Sequence, residues 1–127
     1  MRVRYASVDL HAGDYAEIEG GDVRVYNNAE AVVLNGHVTI FEGGRAIIVG
    51  CQLGGDGTVK AGGKVWVCKE GMARVCRGAE GFAVVGSSVT VEPGGMLHMF
   101  DEEEWEEAAA RTWGAAGGQA STFYVGE

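Results

Sequence analysis

The chain has 127 residues, 22 of them glycine and only one proline, with a formal net charge of −8 and a sequence pI near 4.8. That charge argues against direct binding to nucleic acid or an anionic membrane, since phosphates are held by cations that displace counterions. It favours a protein partner with a basic surface, although solubility alone also accounts for it.

The length suits a single domain, 1–127, that buries a core without metal or disulfide staples. Glycine without a G-X-Y period excludes collagen, and many glycines with Pro93 alone suit tight corners between short strands. Cys51, Cys68 and Cys76 are odd in number and form no C-x-x-C, which points to a reducing compartment. The opening MRVRYASVDLHAGDY has no apolar h-region and no run approaches a membrane span, so the expected location is cytoplasmic.

In chain order, residues 1–14 read as an N-terminal strand with Val3, Tyr5 and Val8 apolar. Residues 15–100 form a repeat body. Pairs of apolar residues flank one variable residue at Val23/Val25, Ala31/Val33, Val38/Ile40 and Ala46/Ile48. They resume at Val65/Val67, Ala73/Val75, Phe82/Val84, Val89/Val91 and Leu97/Met99, with a weaker block around Val59. Period-two alternation marks strands with one buried face, and NNAE, NG, EGG, KEG, GSS and EPGG between them are turn-forming. A new block begins roughly every eight residues. Strands at such spacing fit either a meander, giving an antiparallel sandwich or cupin-like barrel, or a parallel β-solenoid.

The solenoid is the preferred reading. Asn35-Gly36 is the one clear hairpin signature, and the inward pairs share the small, β-branched character that stacked rungs require. The expectation is an all-β fold, a short parallel β-solenoid of about three coils with three strands each. Val38, Val65 and Val89 then share one stack. The rhythm of VRVYNNAEAVVLNGHVTIFEGGRAIIVG resembles the octad β-helix segments of phage and mobile-element proteins and is similar to bactofilin-like polymer-forming solenoids. The resemblance covers roughly residues 15–100 and carries no catalytic residue.

Residues 101–113 read as an acidic helix. Asp101 is a suitable N-cap with Glu104 three residues on, and Arg111 complements the far dipole end before Gly114 stops it. Trp105, Ala108, Ala109 and Thr112 share a face expected to cap the open end of the last coil. Residues 114–127 form a tail whose Thr122–Val125 suits a last strand.

Chemistry-bearing motifs are sparse. His11, His37 and His98 stand apart from one another and from the cysteines, without zinc-ligand spacing. PGGMLH resembles part of the second cupin motif and offers His98 as a ligand, but the first motif's H-x-H and the downstream glutamate are missing. Ser87 and Ser88 lack a G-x-S-x-G, and GGDG and AGGK lack a phosphate loop's Lys-Ser/Thr. The expectation is a non-enzyme with no metal and no cofactor.

Alternation points Arg24, Thr39, Trp66, Arg74, Thr90 and His98 outward, with Tyr26, Phe41 and Phe100. The candidate partner-binding residues are Glu102, Glu103, Glu104, Trp105, Glu106 and Glu107 on the helix, with Trp66 and Phe41, aromatics that would be unusual to leave wet. The functional expectation is a protein-interaction module, an anti-CRISPR-like phage or mobile-element inhibitor of a host defence protein. The alternatives are a self-assembling structural solenoid, which makes a homo-oligomer, and a cupin-like small-molecule binder.

Overall fold

A computed structural model describes residues 2–4, 6–49 and 55–113. The strands are β1 (Arg2–Val3), β2 (Ala6–Leu10), β3 (Tyr15–Ile18), β4 (Gly21–Val25), β5 (Glu30–Val33), β6 (His37–Ile40), β7 (Arg45–Ile48) and β8 (Asp56–Val59). They continue as β9 (Lys64–Val67), β10 (Met72–Val75), β11 (Glu80–Val84), β12 (Ser88–Val91) and β13 (Met96–Phe100), before helix α1 (Glu102–Trp113). Tyr5, Cys51 and the expected strand Thr122–Val125 lie outside the described residues.

Every pairing is parallel. Odd-numbered strands make a seven-stranded sheet in the order β1-β3-β5-β7-β9-β11-β13, and even-numbered strands make a six-stranded sheet from β2 to β12. The molecule is a β-solenoid of about six coils, the antiparallel sandwich or cupin-like barrel being excluded by the parallel registers. The expectation of three strands per coil and about three coils is corrected: each coil has two strands, one per sheet. Val38 and Val89 do share a column, but Val65 belongs to the opposite sheet. Block spacing fixes the distance between successive strands. Whether a coil closes after two or three strands depends on how sharply each corner reverses the chain.

Stacked partners lie 15 residues apart in the first coils (Ala16↔Ala31, Ala31↔Ala46). They lie 19 apart once in each sheet (Ala46↔Val65, Val38↔Gly57) and 16 apart afterwards (Val65↔Gly81). The inward columns are mostly small or β-branched, for example Ile18, Val33, Ile48, Val67 and Ala83 in one sheet and, above Leu10, Val25, Ile40, Val59 and Val75 in the other. All are buried. Two sheets packed ~10 Å apart leave room for side chains of this size. Gly57 occupies an inward position where a Cβ would meet Ile48 Cδ1 and Val38 Cγ1 at 3.0 Å.

The corners reverse the chain through left-handed residues. These include Gly36 (φ 95°) and Glu70 (φ 68°), the latter an unusual residue for that region. The corner amides stack as the strands do: Gly43 N–H donates to Gly62 C=O, Gly62 N–H to Gly78 C=O and Gly78 N–H to Gly94 C=O. A Cβ on residue 36 would also sit 2.9 Å from Gly21 O. Gly36→Ala is therefore expected to destabilise by about 2 kcal/mol. Glu70→Gly is expected to stabilise by about 0.5 kcal/mol, because relief of αL strain exceeds glycine's backbone entropy cost. Urea denaturation of the two variants checks both signs.

Candidate functional site

The two outer faces of the solenoid differ. On the seven-stranded sheet the outward positions of the middle coils are apolar: Val32, Ile47, Trp66 and Phe82 stack in one column, with Val49, Cys68 and Val84 beside them. Helix α1 lies along this face and buries Trp105, Ala108, Ala109 and Trp113. The expected cap over the last coil is thus corrected. An outward apolar column offers more buried area than the end of one coil, and the hydrophobic effect scales with area.

Trp66 is fully buried beneath the helix. Its ring stacks on Phe82 at 4.9 Å and meets the edge of Trp113 at 4.8 Å. Its indole N–H donates to Thr112 Oγ1 at 2.7 Å, and that hydroxyl donates in turn to Ala108 or Ala109 C=O. Arg45 closes the helix end, donating to Trp113 C=O, bonding Glu30 through Nε at 2.8 Å and standing 4.2 Å over the Trp113 ring. A guanidinium at a helix C-terminus satisfies carbonyls left without an intrahelical donor.

Of the sequence candidates, Trp66 and Trp105 are core to this second cluster and offer no surface to a partner. Glu102, Glu103, Glu104 and Glu107 are exposed and Glu106 is half-buried, with Lys69 Nζ 2.8 Å from Glu102. Phe41 is half-buried at the corner between β6 and β7, in a stacked ladder with Tyr26 (5.0 Å) and His11 (5.1 Å). The ladder's rings cover one another's faces, so it forms a corner seam instead of a flat platform.

The outer face of the six-stranded sheet is polar and uncovered by α1. It holds a chemically suggestive cluster, missed in the sequence because its members come from two coils. His37 Nδ1 is 2.5 Å from Asp56 Oδ1, and His37 Nε2 is 3.3 Å from Thr39 Oγ1. The order of atoms is that of a hydroxyl–imidazole–carboxylate relay. A flat sheet face supplies no oxyanion hole, because strand amides lie in the sheet plane and bond neighbouring strands. The cluster reads as a cross-strand polar ladder, as does Arg24 Nε on Asp9 at 2.5 Å, a contact that raises the Arg24 pKa. His98 stacks on Phe82 at 4.9 Å and contacts Glu80 at 2.9 Å. No three His, Cys, Asp or Glu side chains converge on a metal position among the described residues. Cys68 and Cys76 follow strands of opposite sheets.

The feature most in need of a partner is the last coil. With α1 laid along the sheet, nothing among the described residues stacks on β12 and β13. Their inward Val91 and Met99 are 39% and 50% exposed, whereas the inward Val3 and Leu10 of the first coil are 3% and 0% exposed. No described helix is long and apolar enough to cross a membrane. No family model, curated protein or solved structure gives a significant match to the chain.

Thr112→Val is expected to strand the buried Trp66 N–H and cost about 1–3 kcal/mol. Trp66→Ala is expected to cost about 3–5 kcal/mol. Denaturation curves check both, and amide exchange across 102–113 should accelerate in each variant.

Proposed function

We propose that the chain is a structural solenoid that assembles with copies of itself through its last coil, on which no described residue stacks. The observation carrying this reading is that Val91 and Met99, inward residues with the same role as the buried Val75 and Ala83 beneath them, are 39% and 50% exposed beside two strand edges that no described strand pairs. Sheet edges expose rows of N–H and C=O groups that pair readily with another chain, and proteins ordinarily protect them with charge, proline or a cover. Strand β12 (Ser-Val-Thr-Val) carries no charge, and β13 carries only His98. The acidic groups beside the opening are already compensated within the copy. Glu92 lies 3.7 Å from Arg74, and Glu80 lies 3.8 Å from Lys64.

One coil end presents strands of ~17 Å in sheets ~10 Å apart, so each copy contributes only a few hundred Å². That places the association among weak interfaces. Sedimentation under reducing conditions should show mass rising with concentration over roughly the micromolar range. The double variant Val91→Glu/Met99→Glu should stay at monomer mass with its fold retained by circular dichroism. A wild type that is monomeric at every concentration overturns the reading.

The exposed acidic side of α1 favours a second reading, docking on a basic host protein in the manner of a mobile-element inhibitor. Glu103, Glu104 and Glu107 project into solvent and Glu106 is half-buried. Affinity capture from bacterial lysate, alongside a variant with all four replaced by lysine, tests it. Retention of one basic protein by the wild type alone supports docking, and equal retention by both excludes it.

A further inference from the structure

We infer that this assembly closes at two copies, joined last coil to last coil about a two-fold axis, and does not grow into a filament. The inference rests on the self-assembly reading and adds its geometry. A filament needs two complementary ends, because a head-to-tail contact leaves a fresh end at each step. The two ends of this solenoid are unlike each other. At the first coil the inward Val3 and Leu10 are buried, and the edge strands carry Arg2 and Asp9. A further molecule stacking there would have to take those charged edges out of water, and it would find no comparable apolar surface to cover. At the last coil the inward Val91 and Met99 are open and the edge strands have neither lysine, arginine nor carboxylate.

A single adhesive face can satisfy itself only by meeting its own copy, which is an isologous contact. A two-fold axis perpendicular to the solenoid axis brings the strand edges together antiparallel, a pairing whose hydrogen bonds run perpendicular to the strands. The apolar centre of one end then covers that of the other. The assembled particle is a longer solenoid with a charged, closed first coil at both of its ends, and its growth stops there.

The test is sedimentation equilibrium of the full chain under reducing conditions, with two variants that leave the inward columns untouched. Thr90→Lys places a charge on the last-coil edge at an exposed position, and Ser7→Lys does the same on the first-coil edge. Closure predicts a mass that levels off at twice the monomer. Thr90→Lys should weaken association at least tenfold, and Ser7→Lys should leave it unchanged within twofold. Thermal melts showing both variants folded confirm that the readout is association. A mass that keeps rising past two copies, or association weakened equally by both variants, overturns closure while leaving self-assembly intact. Monomer at every concentration removes both.

Discussion

Parallel strands stacked in register place each residue about 4.8 Å from the same position one coil away. In most folds a side chain's neighbours are set by the path of the chain. Here they are set by a column, so the chemistry of a position is decided by what lies above and below it. Inward columns must be uniformly small and apolar, because a large residue in one coil would wedge its neighbours apart. Outward charges face the mirror problem, since like charges at that spacing repel. Arg45 stands beside Glu30, Lys64 beside Glu80, Arg24 beside Asp9 and Arg2 beside Glu17. Each such pair contributes little stability at the surface, and where like charges do stack, Arg45 on Lys64, each meets a carboxylate on its other side.

The same geometry explains why the helix lies where it does. A column of Val32, Ile47, Trp66 and Phe82 runs along one outer face, and only an element lying along the solenoid axis can cover it. Helix α1 does so, with Trp66 fixed by Thr112 and the helix end held by Arg45. With the helix committed to that face, no described element covers the last coil. The exposure of Val91 and Met99 goes with the helix lying along the apolar column and not over the coil end.

The chemistry-bearing side chains follow the columns as well. His37, Thr39 and Asp56 meet in the atomic order of a catalytic relay, but they do so on a flat sheet whose backbone donors are committed to neighbouring strands. Glu80 and His98 meet across β11 and β13 for the same columnar reason. These contacts are what regular stacking produces when polar residues occupy outward positions.

The sequence by itself determined the class of fold: short strands, alternating burial, glycine-rich corners and one acidic helix, all of which follow from local periodicity and turn chemistry. A second periodicity is present as well. The blocks of one sheet read as apolar runs (AVV, AII, VWV), while those between them alternate (VRV, VTI, GTV). Consecutive apolar residues mark strands buried on both faces, and their recurrence in every other block encodes two strands per coil with one sheet covered. Trp66 among them was a buried residue and not an exposed anchor. Only the tertiary structure decided the sharpness of each corner, the face the helix would choose and the exposure of Val91 and Met99 in the last coil. Those outcomes depend on competing burial areas and on the stacking of residues 15 to 19 positions apart, distances at which local sequence periodicity carries no information.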